Sequence, residues 1–331
     1  MKAIVQDRYG SPDALQFRDV DTPSPAPGEI LVRVHAAAVN AYDWHVMRGD
    51  PLLARVAAPA VFGFRGPKFR IRGRDFAGRV EAAGAEVTRF SPGDDVYGDL
   101  GDANGAFAEY VAVPADLAVR KPAGLSFEQA AAIPLAGNTA LMGLRDAAGV
   151  QPGQQVLING ASGGVGTFAV QIAKAYGAEV TAVCSTRNID LVRSIGADHV
   201  IDYTRDDFSR HARRYDTVFD LVGNRSLGDC RRALTPAGTL VLSGGGPPGG
   251  THLVGPMGLL IQAQLASRFV RHRIVQLATE LSRDNLEALS ELAEAGSLRP
   301  VIDRTYPLSE VPAAIRYVEK DHPRAKVVIA G

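Results

Sequence analysis

Cysteine is scarce in this sequence: Cys184 and Cys230 are the only two among 331 residues, and they lie far apart. Neither has a second cysteine or a histidine at ligand spacing, which excludes a disulfide framework and a structural zinc site of four thiolates. We therefore expect an intracellular protein in a reducing compartment.

An excess of charge and long apolar runs are also missing. The 36 basic and 36 acidic residues cancel, so no overall field attracts nucleic acid or an anionic membrane. No apolar run reaches membrane-spanning length, and the opening segment MKAIVQDRYG has the pattern of neither a secretory nor an organelle leader. These absences predict a cytoplasmic protein that binds neither nucleic acid nor membrane.

The chain has two textures. In the first third, proline and glycine punctuate alternating segments such as residues 30–36, which predicts a mostly β domain. From about Ser126, long Ala/Leu-rich helical segments separate short β-branched runs, which is typical of βα units around a parallel sheet. The predicted parallel strands are residues 155–159, 179–185, 197–201, 217–221 and 239–243. Helices are predicted over 282–296 and 310–319, and a strand over 326–329.

A glycine-rich turn joins the first of these strands to a helix in the segment VLINGASGGVGTFAVQIAKAYGA. The glycines of the turn are Gly160, Gly163, Gly164 and Gly166. Glycine permits φ > 0 and lets backbone N–H groups approach a pyrophosphate, while the following helix directs its positive dipole end to the same anion. A strand, this turn, a helix and a second strand form the βαβ unit of a dinucleotide site.

The end of the second strand indicates which dinucleotide is bound. An NAD site commonly has Asp or Glu there for the ribose hydroxyls, but this chain has CSTRN. Arg187 is suited to a dianionic 2′-phosphate through charge-assisted hydrogen bonds, and Ser185 adds a neutral donor. NADPH is therefore predicted rather than NADH, with an ordinary solvated Arg187 as the alternative.

The chain resembles the medium-chain dehydrogenase/reductase superfamily, in particular its quinone oxidoreductase branch and the reticulon-4-interacting-protein-like group. The resemblance covers nearly the whole length and rests on segments that include PSPAPGEILVRVHAAAVNAYD, GDDVYG, GAFAEYV, IPLAGNTAL and SIGADHVIDY. It implies an α/β fold with a GroES-like, mostly β catalytic domain and a doubly wound parallel-sheet Rossmann domain. The implied limits are 1–124 with 299–331 for the first domain and 125–298 for the NADPH-binding domain.

The resemblance also implies cofactor contacts at positions along the whole chain. Pyrophosphate contacts are expected at Ser162, Gly163, Gly164 and Val165, and adenosine-phosphate contacts at Ser185, Arg187 and Tyr203, with Lys174 as a further phosphate contact. The nicotinamide half is expected near Asn40, Thr139, Asn224, Ser243 and Gly244. A tail segment of His322, Arg324, Ala325 and Lys326 is expected to fold back on the cofactor, with Ala325 in place of the group's usual glycine.

Zinc-dependent members of the superfamily use an N-terminal cysteine and a G-H-E histidine, but the matching segments here contain Asn40 and Gly73-Arg74-Asp75. Without a Lewis acid, alcohol oxidation is disfavoured, and hydride delivery to a quinone or an enone becomes the easier reaction. Hydrogen-bond donors for the developing enolate oxygen are expected among Asn40, Tyr42, Asp43 and His45.

The proton donor among these four stays open. His45 replaces a tyrosine found in several quinone reductases and titrates near neutrality, but a histidine beside Trp44 is equally typical of packing. Asp43 is expected to hold the loop by hydrogen bonds. Arg70, Arg72 and Arg74 are interpreted as the solvent face of a strand.

Two other functions compete with the quinone or enone reductase. One is an enoyl-thioester reductase, which differs only in its acceptor. The other is a cofactor-binding protein with little catalysis, similar to some zeta-crystallin relatives. The resemblance implies a homodimer as the assembly and a small-molecule quinone or enone as the partner.

Overall fold

The computed structural model describes residues 1–49, 62–63, 66–243, 271–321 and 323–331. The chain forms two compact units. The first comprises Met1–Ala136, Leu281–Ala295 and Pro300–Gly331, and the second comprises Gly137–Glu280 and Gly296–Arg299. No helix among the described residues is long and apolar enough to cross a membrane.

Strands and helices are numbered here in chain order. The strands are β1 (Lys2–Gln6), β2 (Leu15–Asp19), β3 (Glu29–Val39), β4 (Asp75–Ala83), β5 (Asp95–Asp99), β6 (Tyr110–Pro114), β7 (Ala118–Arg120), β8 (Gln155–Asn159), β9 (Glu179–Cys184), β10 (His199–Asp202), β11 (Tyr215–Asp220), β12 (Leu234–Leu242), β13 (Arg273–Gln276), β14 (Ile302–Pro307) and β15 (Lys326–Ala330). The α-helices are α1 (Ala41–Arg48), α2 (Phe127–Ala131), α3 (Pro134–Leu141), α4 (Gly164–Ala175), α5 (Ile189–Ser194), α6 (Leu227–Arg232), α7 (Arg283–Glu294) and α8 (Val311–Lys320).

The first unit is built on a sheet around the long strand β3. The described strands follow the order β14-β15-β3-β4-β5-β7, and β6 also pairs with β3. The C-terminal strand β15 lies antiparallel to β3, with Val327 opposite Val39. Alternating apolar residues of these strands, such as Ile30 and Phe76, are fully buried and form the core of the unit. The expected return of the tail to the first domain is confirmed.

The second unit contains a parallel sheet in the order β10-β9-β8-β11-β12-β13. The chain starts at the central strand β8, runs outward through β9 and β10, and then restarts beside β8 with β11. This reversal of direction is the order of a doubly wound nucleotide-binding sheet, in which ligands bind at the carboxyl ends of the strands near the reversal. The predicted fold class is confirmed.

The periodic segments predicted most of these elements. Strand β8 has the predicted limits, and the predicted helix over 282–296 contains α7, which Ser282 caps through its side chain. Strand β12 begins five residues before its predicted start at 239. The early part of β12 contains Pro236 and Gly238, which are typical of turns and hide the strand in the sequence.

The compact units differ from the predicted domain limits at residues 125–136 and 281–295. Helix α7 belongs to the first unit because the Tyr97 hydroxyl donates to the carbonyl oxygen of Leu286 at 2.9 Å. Arg89 also pairs with Glu287. The limits 1–124 with 299–331 and 125–298 stay a prediction.

Candidate functional site

The glycine turn after β8 is close-packed at two of its glycines. Gly160 has φ +88°, in the left-handed region that favours glycine. A Cβ at Gly166 would lie 2.1 Å from the carbonyl oxygen of Gly160 and 2.7 Å from the backbone of Ala161. Only glycine therefore allows the first turn of α4 to pack this closely on the strand-turn segment, as a dinucleotide-binding βαβ unit requires.

The start of α4 suits an anion. Its N-cap is Gly163, which has no side chain to cap the helix, and no side-chain capping bond is present. The N–H groups of the first turn, including those of Gly164 and Val165, have no intrahelical partner in any α-helix and carry the positive end of its dipole. The turn therefore fits the pyrophosphate of a dinucleotide.

A buried asparagine connects this turn to the end of β9. The Nδ2 of Asn188 donates to Ser162 Oγ at 2.8 Å and to Ser185 Oγ at 3.3 Å. Its Oδ1 is buried and has no hydrogen-bond partner among the described residues. An unsatisfied buried acceptor of this kind indicates a position completed by a ligand or a water molecule. Two predicted cofactor residues, Ser162 and Ser185, are thus brought together by a third.

The sequence analysis missed Asn188. Its signal was its position directly before α5, where Asn commonly caps the helix through its own side chain. No such capping bond forms, because the side chain is used on Ser162 and Ser185 instead.

Arg187 and Tyr203 lie at the carboxyl ends of neighbouring strands. Arg187 belongs to a short 3-10 turn, Thr186–Asn188, that follows β9, and it is exposed. The backbone N–H of Tyr203 donates to Cys184 O, and its side chain is 49% exposed, which leaves an aromatic face open to solvent. Both remain available to a bound nucleotide.

Lys174 lies elsewhere. It is in the last turn of α4, and its Nζ forms an ion pair with Asp198 at 2.8 Å and also donates to Ala178 O. Because ten residues of helix separate it from Gly164, an axial distance of about 15 Å, the structure does not bring Lys174 to the glycine turn.

The predicted residues of the nicotinamide half in the second unit follow β11 and β12 or lie in α3. Asn159 donates from Nδ2 to Asn224 Oδ1 at 3.0 Å and to Asp220 Oδ1 at 2.9 Å, which fixes the turn after β11. Ser243 follows β12 directly, and Thr139 is buried in α3. Gly244 lies outside the described residues.

A second polar cluster lies in the first unit and centres on Asn40. The Nζ of Lys326 donates to Asn40 Oδ1 at 2.5 Å, and Asn40 Nδ2 donates to Asp75 Oδ2 at 3.0 Å. Lys326 Nζ lies 3.5 Å from the same Asp75 oxygen, and Leu135 donates its backbone N–H to the other. Bonds at both ends fix the orientation of the Asn40 amide.

All three side chains of this cluster are buried. Burial raises the pKa of Asp75, and the Lys326 ammonium group opposes that shift. Asn40 and Lys326 were predicted as cofactor contacts, whereas the sequence gave no signal for their link through Asp75. In the structure, the Asn40 Nδ2 hydrogens are directed to Asp75 and to the carbonyl of Ala38.

Asp43 holds the start of α1, as expected. Its Oδ2 accepts from the backbone N–H of Asn40 at 2.7 Å and completes a capping box. Its Oδ1 is buried with no hydrogen-bond partner among the described residues. Burial raises the pKa of Asp43 to about 7, because a carboxylate without full solvation is costly.

Asp43→Asn is expected to stabilise the protein increasingly as the pH rises from 5 to 8. The pKa of Asp43 is 3.8 in the unfolded reference and about 7 in the folded state. The folded state therefore binds more protons between these values, and the wild-type protein loses stability as the pH rises through that window. An amide keeps the acceptor for Asn40 and removes the titration, so the variant should gain at least about 1 kcal/mol relative to wild type over this range.

Urea unfolding at pH 5, 6, 7 and 8 measures this difference, and Asp21→Asn is the same exchange at an exposed position. A difference between Asp43→Asn and wild type that stays constant or shrinks with rising pH contradicts the prediction.

The interpretation of three arginines as a solvent face is wrong for Arg72 and Arg74. They are 1% and 8% exposed, and only Arg70 is exposed. Arg74 forms a bidentate ion pair with Asp99, at 2.9 and 2.8 Å, and its guanidinium lies 4.7 Å from the Tyr42 ring centroid. A partner 25 residues away keeps Arg74 buried, which alternation along the chain does not reveal.

Tyr42 and His45 occupy the same helix, α1. The Tyr42 hydroxyl donates to Asp102 at 3.0 Å, and burial raises its pKa well above the ordinary value. His45 is half-buried and stacks on Trp44, with ring centroids 3.5 Å apart. The packing role expected beside Trp44 is therefore present, and a proton-donor role for His45 stays a prediction.

The tail segment before β15 contains one strained residue. Ala325 has φ +60°, in the left-handed region where glycine is favoured, which accounts for the glycine usual at this position in the related group. Arg324 is exposed and donates its backbone N–H to Asp303. His322 lies outside the described residues.

No group of three or more His, Cys, Asp or Glu side chains within the described ranges is arranged to hold a metal ion. Arg74 and Asp75, at the position of the family's G-H-E motif, are bonded to Asp99, Asn40 and Lys326 as described above.

Comparison with known proteins agrees with the fold. Residues 26–123 match the alcohol dehydrogenase GroES-like domain, and residues 195–329 match a family described as zinc-binding dehydrogenase. The chloroplastic quinone-oxidoreductase QR1 of Triphysaria versicolor is 33% identical over 340 residues, covering 99% of this chain and 98% of that protein. The mitochondrial NAD(P)H oxidoreductase RTN4IP1 of Mus musculus is 34% identical over 353 residues, covering 99% and 89%.

Among solved structures, the Escherichia coli quinone oxidoreductase complexed with NADPH superposes with a TM-score of 0.83 at 25% identity, covering 100% of both chains. Similarity of sequence and fold thus extends over both units. The chain belongs to the medium-chain dehydrogenase/reductase superfamily, in its quinone oxidoreductase branch.

Proposed function

We propose that this oxidoreductase uses NADPH to reduce a quinone or an α,β-unsaturated carbonyl without a metal ion. The observation that carries the proposal is the glycine turn, where the 2.1 Å limit at Gly166 and the uncapped start of α4 form a pyrophosphate cradle. The relatives named above, quinone and NAD(P)H oxidoreductases, support the same reaction class.

The cofactor fits the residues at the carboxyl ends of β8 and β9. The first turn of α4 would hold the pyrophosphate, and Ser162, Asn188 and Ser185 would line the path toward the adenosine ribose. Arg187 would pair with the 2′-phosphate and Tyr203 would stack on the adenosine end. Lys174 is left out of this set because Asp198 already neutralises it.

When bound, NADPH supplies the hydride, and the protein supplies orientation and a dry environment. In the first unit, Asn40 is fixed by Lys326 and Asp75, so its Oδ1 presents its second lone pair in one orientation. Asp43 maintains the helix that carries Tyr42 and His45. Of the four predicted donors, His45 is the one whose proton transfers most easily near neutral pH.

Arg187→Ala is expected to weaken NADPH binding by about 10- to 150-fold, because a charged hydrogen bond is worth roughly 1.5 to 3 kcal/mol. NADH binding should change less than twofold, since NADH has no 2′-phosphate. Nicotinamide fluorescence titration of both cofactors measures the two constants. Arg193→Ala removes the same charge from an exposed position in α5 and serves as the control. Equal loss for NADPH and NADH in the Arg187 variant contradicts the assignment.

The acceptor is tested by following NADPH oxidation with a panel of quinones, enones and enoyl thioesters. Turnover of thioesters alone favours the enoyl-thioester reductase, and tight binding without turnover favours a cofactor-binding protein. Metal analysis of the active protein tests metal independence, which we expect to give less than stoichiometric zinc. The homodimer and the cytoplasmic location stay predictions; the two relatives named above are chloroplastic and mitochondrial.

A further inference from the structure

A carboxylate lies beside the residues proposed to hold the 2′-phosphate, although the end of β9 itself has none. It comes from the next strand: Asp202 is the last residue of β10 and lies opposite Cys184, the last residue of β9. The Thr186 hydroxyl donates to Asp202 Oδ2 at 2.5 Å. Thr186 stands between Ser185 and Arg187, so Asp202 is bonded to the turn that carries both.

The two oxygens of Asp202 have different partners. Oδ1 accepts from the backbone N–H of Thr204 at 3.0 Å and from the Thr204 hydroxyl at 2.7 Å, while Oδ2 accepts from Thr186. These hydrogen bonds, that of Thr186 foremost, lower the pKa of Asp202. The side chain is therefore ionised at neutral pH.

This arrangement has two effects of the same sign on a phosphate held by Ser185 and Arg187. The carboxylate repels a dianion through unlike solvation and like charge. It also binds the hydroxyl hydrogen of Thr186, so that only oxygen lone pairs of Thr186 remain for a neighbouring group. The adenosine end of NADH, which carries ribose hydroxyls instead of a phosphate, is affected by neither.

We propose that Asp202, acting through Thr186, is a specificity-determining residue that lowers the preference for NADPH over NADH. The inference rests on the proposed function, in which Ser185 and Arg187 hold the 2′-phosphate. Arg187 favours NADPH, and Asp202 limits that preference so that NADH remains a usable cofactor.

Asp202→Asn is expected to lower the dissociation constant of NADPH about tenfold and to change that of NADH less than twofold. Because the Thr204 N–H requires an acceptor, the amide oxygen should take the place of Oδ1 and the NH₂ group the place of Oδ2. The NH₂ group then donates to Thr186, whose hydroxyl hydrogen is released toward the phosphate. Fluorescence titration of both cofactors gives the ratio, and the KM values for NADPH and NADH should change in the same way with kcat retained.

Two control variants separate this mechanism from a general charge effect. Asp206→Asn removes the same charge four residues later, at a carboxylate bonded to His211, and should change the ratio less than twofold. Thr186→Val should leave NADPH binding within twofold in the wild-type background and remove more than half of the gain in the Asp202→Asn background. The Thr186→Val result also tests the inference if Asp202→Asn fails to fold.

The outcomes distinguish the inference from the proposed function. If wild type binds NADPH, Arg187→Ala weakens it, and Asp202→Asn leaves the ratio unchanged, the inference is overturned and the proposed function stands. An equal gain in Asp206→Asn, or a tenfold loss in Thr186→Val alone, also overturns it. If wild type binds neither cofactor, both the proposed function and the inference fail.

Discussion

Lys326→Met is expected to lower the free energy of unfolding by about 3 to 5 kcal/mol, because removing one partner of a buried ion pair leaves the other charge uncompensated. Lys326 is 2% exposed, and its Nζ contacts Asn40 at 2.5 Å and lies 3.5 Å from Asp75. Methionine fills a similar volume, so the loss is electrostatic more than steric. Urea unfolding measures it.

The pH dependence of this loss has a definite sign. Lys326 lowers the pKa of Asp75 against the effect of burial, so the variant raises that pKa further. The folded variant then binds a proton over a wider pH range than the wild type, and its penalty should be larger at pH 8 than at pH 5.

Two further variants serve as controls. Lys320→Met, at an exposed lysine of α8, should cost no more than about 0.5 kcal/mol. Lys326→Met combined with Asp75→Asn should recover more than half of the loss, because the second change removes the stranded charge. A double variant no more stable than Lys326→Met would show that the ammonium group acts through packing alone.

Gly166→Ala is expected to weaken NADPH binding more than 100-fold and to cost about 1 to 3 kcal/mol of stability. The new Cβ would lie 2.1 Å from Gly160 O and 2.7 Å from Ala161, all backbone atoms that cannot rotate away. Helix α4 must therefore move from the turn, and its first N–H groups leave the position in which they meet the pyrophosphate. Cofactor titration and thermal unfolding measure the two effects.

Gly228→Ala is the matched control in the same unit. Its Cβ would have Ser226 Oγ as nearest atom at 3.7 Å, an ordinary contact, and the residue lies within α6. Alanine in a helix is favoured over glycine by up to about 1 kcal/mol, so this variant should be as stable as wild type or more stable, with cofactor affinity unchanged. Similar losses in both variants would remove the special role of the contact at Gly166.

Local patterns made most of the fold predictable. Strand β8 and helix α7 were located because hydrophobic periodicity and a capping serine are properties of a few consecutive residues. The same approach failed for Arg72 and Arg74. Their alternation was interpreted as a solvent face, but Asp99 and Gln6 hold them in the interior from distant parts of the chain.

The candidate site divides in the same way. Gly166 was predicted to permit close packing from its place in the motif alone, whereas Asn188, Asp75 and Asp202 were not recognised. Each of these three acts through a side chain that is distant in sequence or belongs to another strand. Their residue types are common on surfaces and in turns, so nothing in the local sequence distinguishes them.

The sequence alone therefore determined the superfamily, the glycine turn and the polar residues that follow β9, because each depends on contiguous residues. Only the tertiary structure decided that Lys326 fixes Asn40, 286 residues away, and that Asp202 bonds to Thr186. Strand pairing sets these contacts: β15 lies beside β3, and β10 lies beside β9. Register between strands depends on the packing of the whole sheet, which no short segment encodes.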